Sequence, residues 1–344
     1  MLVSLLTLGP PDQISGGYLY HLRMAERAAE HGCRVEFVAV EPGRSPFARS
    51  TGEVVLVDSI CAALVAPWVG QAARRPLAAI LHQPPGGIDH GAVRRRVQAR
   101  LDRRLYRRCR LLVAASDALR DEIVAPPHRL AAERLVVVPP GSDVSGPITG
   151  SAPDLRQGRR SALVSVGNWV ERKGTLELLE ALARLPDDRA TLHLAGRDDA
   201  ERRYGARVRS RLAEPDLAGR VVHHGVVSRD GVAQLYAGAD AFVLPSHREP
   251  YGTVYGEALA AGLPVVGWRA GNLPYLARHD EEGVVLEPGD VGGLATALDR
   301  LAVDEPWRAR LAAGAARRGA GLPTWSGTAT ALFGALKGLA ADVR

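Results

Sequence analysis

One stretch limits the fold of this chain more than any other. Ala241 to Leu244 is a short apolar run, and a loop with Pro245, Pro250 and Gly252 follows it. A helical pattern carrying Glu257 comes next, and a second apolar run, Pro264 to Trp268, closes the stretch. Both runs read as buried strands. Strand, loop, helix and strand make one βαβ unit, which belongs to a parallel sheet. The same alternation recurs upstream. Strands are expected at Leu2 to Leu8, Arg34 to Val40, Val54 to Val57, Leu77 to His82, Leu111 to Ala114 and Leu135 to Val138. Gly16 and Gly17 open a first helix with Leu19, Leu22 and Ala29 on one side, closed by Gly32.

A second run of the pattern starts at Ala162 to Val166. Helix Thr175 to Leu185, strands Thr191 to Ala195 and Val221 to Gly225, and helix Gly231 to Ala237 precede the unit described above. Helix Val291 to Leu301 follows it, with Asp290 as its N-cap. Gly146 to Arg160 is rich in Gly, Pro and Ser without a hydrophobic period and reads as a linker. At 344 residues the chain fits two domains. The expected boundaries are residues 1–148, residues 149–325 and a C-terminal helix over 326–344 that packs back on the first domain.

Several classes are excluded or weakened. No run of eighteen apolar residues occurs, so no spanning helix is expected. The N-terminal run lacks a basic leader and a cleavage site and reads as a strand. Cys33, Cys61 and Cys109 lack metal-ligand spacing and read as reduced thiols of a cytoplasmic protein. The formal charge of +6 fits an anionic ligand, an anionic membrane surface or nucleic acid without choosing among them.

Open α/β sheets bind ligands at the carboxyl ends of their strands. Glu249 lies in the loop and Glu257 in the helix of the βαβ unit, with seven residues between them. Carboxylates accept hydrogen bonds only, which suits the hydroxyls of ribose and hexose. In Ser165-Val-Gly-Asn-Trp-Val-Glu-Arg-Lys-Gly-Thr, a strand ends and Arg172-Lys173-Gly174 enters a helix. A helix start beside an Arg and a Lys is a diphosphate site, or else an exposed basic turn. Gly16-Gly17 is an anion-facing loop or a packing turn.

The segment Ser246 to Val266, ending Ala-Ala-Gly-Leu-Pro-Val-Val, resembles the signature of retaining glycosyltransferases of the GT-B fold, family 4 (glycosyl transferases group 1). The family's Glu-Gly-Phe-Gly is Glu249-Pro250-Tyr251-Gly252 here. The resemblance spans nearly the whole chain. Ala115 to Leu119 and Pro139 to Asp143 also match family landmarks, and Trp325 matches the start of the family's final helix. The implied fold is two doubly wound Rossmann-like domains facing across a cleft. The implied reaction moves a hexosyl group from a UDP- or GDP-sugar to an acceptor hydroxyl with retention, by front-face attack.

The resemblance also distributes roles. Glu249 holds the sugar hydroxyls, Glu257 the ribose, and Arg172 with Lys173 the departing diphosphate. His82 contacts the sugar; read by itself it is a histidine satisfied at a strand end. The donor site also takes in Gly16, Gly17, Gly167, Pro250, Tyr251, Gly252 and Thr253. Neither a metal nor another cofactor is needed when Arg172 and Lys173 carry the charge, and Asp198-Asp199 reads as a solvated turn. Asp89 and His90, read by themselves and not from the resemblance, are expected to line the acceptor cleft.

Two departures from the pattern stand out. Asn168 replaces an Arg, and Tyr275 stands where a Glu is common. Arg94 to Arg110 holds nine arginines, with Val93, Val97, Leu101, Leu105 and Cys109 recurring every fourth residue. That face is a contact with an anionic membrane, at the inner face of a cell membrane, or a solvated surface. Nucleic acid is disfavoured because no aromatics interleave with the charges. A nucleotide-sugar epimerase and a catalytically silent sugar-nucleotide-binding or membrane-associated subunit are the competing functions.

Overall fold

The computed structural model describes residues 1–9, 16–72, 75–88, 91–142 and 152–342. Asp89, His90 and residues 146–151 of the expected linker lie outside the described residues. The chain divides into two compact units, Met1–Gly141 with Pro323–Arg344, and Ser142–Leu322.

In the first unit the elements run β1 (Leu2–Thr7), α1 (Gly16–Arg27), β2 (Arg34–Ala39), β3 (Val54–Asp58), α2 (Ala62–Val65), β4 (Leu77–Leu81), α3 (Ala92–Tyr106), β5 (Leu111–Ala114), α4 (Asp117–Val124) and β6 (Leu135–Val137). The sheet order is β2-β1-β3-β4-β5-β6, and every pairing is parallel. β3 and β4 are buried at every residue. A strand covered on both faces has no polar alternation, which is why these runs are continuously apolar.

Two helices differ from their sequence pattern. The buried residues of α1 are Tyr18, Tyr20, His21 and Met24, whereas Leu22 is 38% exposed. Its inward face follows Tyr20, Met24 and the Ala28 just beyond, not Leu19, Leu22 and Ala29. In α3 the expected apolar stripe does not pack along its length, since Val93 is 76% and Val97 53% exposed. A step of four residues overshoots the helical turn by about 40°, so four steps rotate the stripe by about 160°. Instead Ala99, Asp102, Leu105 and Tyr106 face inward, and Cys109 lies past the helix end.

Asp102 is therefore a buried acid. Its Oδ2 accepts the Gly86 N–H at 2.8 Å. Its Oδ1 is buried with no partner among the described residues. Burial pushes the carboxyl up to about 7, against the pull of the Gly86 amide. A carboxyl raised above its unfolded value stabilises the fold at low pH, and that contribution is lost as pH rises through about 7. Asp102→Asn is expected to raise the Tm at pH 8 and leave it nearly unchanged near pH 3.8, where the loss begins. Thermal denaturation at the two pH values checks this. The gain corresponds to about 1–3 kcal/mol.

The second unit contains β7 (Ser161–Val166), α5 (Thr175–Ala183), β8 (Ala190–Ala195), α6 (Arg202–Leu212), β9 (Val221–Gly225), α7 (Arg229–Gly238), β10 (Ala241–Val243), α8 (Thr253–Ala260), β11 (Val265–Trp268), α9 (Leu273–Leu276), β12 (Gly283–Leu286), α10 (Val291–Val303) and α11 (Glu305–Ala320). The parallel sheet runs β12-β11-β10-β7-β8-β9. Successive strand residues enter opposite cores. Leu163, Val243 and Val266 join Trp169, Leu178 and Leu298. Val164, Phe242 and Val265 join Tyr236, Tyr255 and Leu259. Asp290 caps α10, accepting the Gly293 N–H at 2.8 Å.

The last helix, α12 (Trp325–Ala341), belongs to the first unit. Its Trp325 ring meets Tyr20 at 5.9 Å, and Thr328 donates to the Pro139 carbonyl at 2.9 Å. Gly141 permits this approach. A Cβ there would lie 2.1 Å from the Trp325 nitrogen.

Candidate functional site

Each sheet has a point where strand order reverses, between β1 and β3 in the first and between β7 and β10 in the second. Loops leaving adjacent strands in opposite directions open a crevice there. The Arg172-Lys173 turn follows β7 and the Glu249 loop follows β10, while His82 follows β4.

In the second unit, β7 leads into Gly167 and a 3₁₀ turn, Glu171–Lys173. β10 leads into the Leu244–Gly252 loop. The two loops are joined through Arg172. Its carbonyl accepts the His247 N–H at 2.8 Å and the Ser246 hydroxyl at 3.1 Å. Its Nη1 donates to the Arg248 carbonyl at 3.1 Å. Gly174, at φ +70°, ends the turn, and a Cβ there would sit 2.1 Å from the Pro245 carbonyl oxygen. Only glycine fits so close to a neighbouring backbone.

This zipper brings together charges that are 76 residues apart. Lys173 Nζ donates to Glu249 Oε2. Arg172 Nη1 lies 3.6 Å from the same oxygen. The side chains of Lys173 and Glu249 are only 11% and 13% exposed. Gly167 borders the lysine stem, where a Cβ would make only ordinary contact at 3.6 Å from Lys173 Cε. Two cations converging on one carboxylate give a compact, partly desolvated site. A phosphate entering it would share those cations with Glu249.

The backbone of Glu249 is held from the other side. Its carbonyl accepts the Asn272 N–H at 2.9 Å, and Asn272 Nδ2 donates to the Tyr251 carbonyl at 3.0 Å. Gly271, at φ +54°, packs directly against this backbone. Tyr275, where the family pattern has a Glu, is 41% exposed at the end of the same segment. Pro250 is buried, and Gly252 at φ +77° starts α8 with no side-chain cap. The first amides of α8, beginning at Thr253, therefore carry the positive end of the helix. Glu257 lies one turn further and is half-buried. It is hydrogen-bonded to Tyr236, whose hydroxyl is pushed well above its ordinary range by burial and then by the Glu257 charge.

The start of α5 offers less than expected. The Leu176 amide is taken by the Tyr204 hydroxyl at 3.0 Å, so this turn presents side-chain cations more than helix amides. Asn168 accepts the Arg197 N–H at 3.1 Å and braces the loop. Asp198 and Asp199 pair with Arg209 and Arg197 at 2.9 and 3.0 Å. Glu177 was not read from the sequence, yet it binds His247 at 2.8 Å and the Trp268 indole at 3.2 Å.

In the first unit, Gly16 and Gly17 open α1, and His82 stands one residue past β4. A Cβ on Gly17 would come within 3.3 Å of the His82 ring. That ring packs edge-on against Tyr20 at 5.3 Å and His21 at 4.9 Å. His21 Nε2 meets Asp58 Oδ2 at 2.8 Å, with both side chains buried. Burial alone would raise the Asp58 carboxyl. The His21 charge and hydrogen bond, helped by His82 and the Ile60 amide, hold it instead at about 2. Burial pushes His82 down to about 4, against the Asp58 charge and together with that of His21.

His21, Asp58 and His82 form the one group among the described residues that could hold a metal, with ligand atoms within 4.8 Å of one another. In the structure, Nε2 of His21 is already engaged by Asp58. Sequence reasoning missed His21 and Asp58. The available signals were an acid ending the apolar run Val54 to Val57, and a histidine three residues before Met24 on one helix face.

Comparison with known proteins adds the family. Residues 160–304 match the family described as Glycosyl transferases group 1. A D-inositol 3-phosphate glycosyltransferase of Xylanimonas cellulosilytica is 34% identical over 223 residues, 59% of this chain and 53% of that protein. The lipopolysaccharide core biosynthesis glycosyltransferase LpsE of Rhizobium meliloti is 36% identical over 150 residues, 44% of this chain and 42% of its own. The chain spans about half the length of the curated relatives it matches. Among solved structures, sucrose-phosphate synthase of Thermosynechococcus elongatus superposes with a TM-score of 0.82 at 20% identity, covering 99% of both chains. HepE of Anabaena, in complex with UDP-glucose, gives 0.80 at 21% identity over 98% of this chain and 100% of its own. These neighbours have the GT-B fold, and the two six-stranded parallel sheets match them.

Proposed function

We propose that the chain, whose residues 160–304 match glycosyl transferases group 1, transfers a hexosyl group from a nucleoside-diphosphate sugar to an acceptor hydroxyl. The observation that carries this reading is the convergence of Arg172 and Lys173 on Glu249, where strand order reverses in the second sheet. Departure of the nucleoside diphosphate builds negative charge on the β-phosphate, and preorganised cations there lower the barrier. In this reading Arg172, Lys173 and the uncapped start of α8 at Gly252 and Thr253 receive the diphosphate. Glu249 turns its carboxylate to the sugar hydroxyls as phosphate replaces it on the cations. Glu257 holds the ribose, and Gly16, Gly17 and His82 keep the donor role that the resemblance implies for them. Retention follows from front-face attack, with the leaving phosphate taking the acceptor's proton, and no metal is required.

A thermal-shift panel with UDP, GDP, ADP and TDP tests the donor reading. A nucleotide that binds only the folded chain raises stability by about 2.7 kcal/mol at one hundred times its Kd. The expected result is a shift with UDP or GDP that is lost in Glu257→Ala. A flat response to all four would remove nucleotide-sugar binding and favour the silent-subunit reading.

The exposed side of α3 supports a peripheral contact with an anionic membrane surface. Arg94, Arg96, Arg100 and Arg104 are exposed and form no ion pair among the described residues. Val93 and Val97 are exposed among them. Elsewhere arginines are commonly paired, as Arg156 is with Asp240 and Arg211 with Asp216. No helix among the described residues is long and apolar enough to cross a membrane. Replacing Arg94, Arg96 and Arg100 together by Gln is expected to weaken binding to phosphatidylglycerol vesicles roughly a hundredfold, from about 1 kcal/mol per cation. Equal sedimentation of wild type and variant with these vesicles would leave α3 as a solvated face.

A further inference from the structure

The first unit contains a polar cluster that the transfer reaction, as described, does not use. Asp58 is the hub. Its Oδ2 meets His21 Nε2 at 2.8 Å. Its Oδ1 accepts the Ile60 N–H at 3.0 Å and the Ser59 hydroxyl at 3.3 Å. Ser59 Oγ in turn accepts the His82 N–H at 3.1 Å. The carboxylate therefore reaches His82 by two routes. One runs through Ser59 to the His82 backbone. The other runs through the His21 ring, which stands at 68° to the His82 ring with centroids 4.9 Å apart. Tyr20 closes a further side of His82 at 5.3 Å, and a methyl on Gly17 would press on the ring at 3.3 Å.

A buried carboxylate is costly unless its lone pairs are used. Here the Asp58 oxygens have three partners, contributed by α1 and by the turn after β3. Ionised, Asp58 can only accept, so it fixes the Nε2 proton on His21 and with it the ring orientation. The arrangement has the form of a support for a working side chain, which a site needs in order to hold its geometry within fractions of an ångström.

We propose that His21 and Asp58 are a buried positioning pair that holds His82 in one orientation against the Gly17 turn, without themselves touching substrate. This rests on the reading that His82 serves the donor sugar. Loss of the pair removes the packing that the His21 ring gives His82.

The test uses the full chain and the variants His21→Gln, Asp58→Asn, His82→Ala and the double variant Asp58→Asn/His82→Ala. Two readouts are taken, the turnover of the sugar-nucleotide that the thermal-shift panel selects and the ring signals of His82 by NMR in the absence of donor. Tm values identify any variant that fails to fold, and His21→Gln carries the test if Asp58→Asn is lost. The expected result is a roughly thirtyfold fall in kcat for His21→Gln and Asp58→Asn, with the donor KM little changed and the His82 signals shifted or broadened. Asp58→Asn should cost nothing further in the His82→Ala background, because residues acting through one another are not additive.

The outcomes separate. Unchanged His82 signals in both variants overturn the positioning pair even if His82→Ala loses turnover. Altered signals with full turnover in His82→Ala keep the pair and remove His82 from the donor site. A rise in Tm on adding Zn²⁺, lost in His21→Gln, would replace the positioning role by a metal site.

Discussion

Lys173→Ala is expected to lower kcat/KM for sugar transfer by about a thousandfold. Removing one preorganised group that faces developing charge costs about 10² to 10³ in rate. Lys173 is the cation in direct contact with Glu249, in a site only 11–13% exposed, where water screens little. The variant also leaves the Glu249 carboxylate to Arg172 alone, 3.6 Å away. Breaking a buried pair by removing one partner is strongly destabilising. With a second cation at hand, a cost of about 1–2 kcal/mol is expected. Steady-state kinetics and a melting curve on the same preparation separate the two effects. Retained turnover in a destabilised Lys173→Ala would show that Lys173 serves the loop and not the diphosphate.

Gly271→Ala should be nearly as damaging to turnover while changing no group that faces a ligand. The position sits at φ +54°, and a Cβ would lie 2.4 Å from the Glu249 carbonyl oxygen and 2.7 Å from its nitrogen. The methyl cannot be absorbed by a side-chain rotation, because both contacts are backbone. Either the Glu249 loop or the Gly271 turn moves, and a displacement near 1 Å at a reacting centre can cost about a hundredfold in rate. Strain of about 1–3 kcal/mol accompanies it. Gly338→Ala in α12 is the control. Nothing lies within 4 Å of a Cβ there, so alanine in the helix is expected to be neutral or to stabilise by up to about 1 kcal/mol. Full activity in Gly271→Ala would mean that the position of Glu249 does not matter.

The centre of the second unit was legible because β10 and β11 are buried on both faces. Phe242, Val243, Val265 and Val266 are fully buried, so the runs of β10 and β11 had to be apolar. Elements lacking that pressure were missed. α6 is half arginine and buries only Tyr204, Gly205 and Val208. β12 is four residues long and opens with a glycine that a neighbouring backbone requires, with a Cβ 1.9 Å from the Val265 carbonyl oxygen. The ligand-facing residues were readable one at a time, since Glu249, Glu257, Arg172 and Lys173 each sit where a strand gives way to a helix. Their contact was not readable. Lys173 meets Glu249 because β10 lies beside β7, a neighbourhood set by the sheet and not by local pattern. The same holds for His21 and Asp58, which are 37 residues apart and come from a helix and a strand end.

The placement of α12 orders the folding of the chain. The first unit is discontinuous, made of Met1–Gly141 and Pro323–Arg344, while Ser142–Leu322 is an unbroken segment between them. Synthesis runs from the N-terminus, and domains fold as units once their parts are available. The segment that carries Arg172, Lys173, Glu249 and Glu257 has all its strands before Leu322 leaves the ribosome. The segment that carries His82 must wait for Trp325 and Phe333, both buried at 3% or less, to seal its face. The unit begun first is therefore the unit finished last.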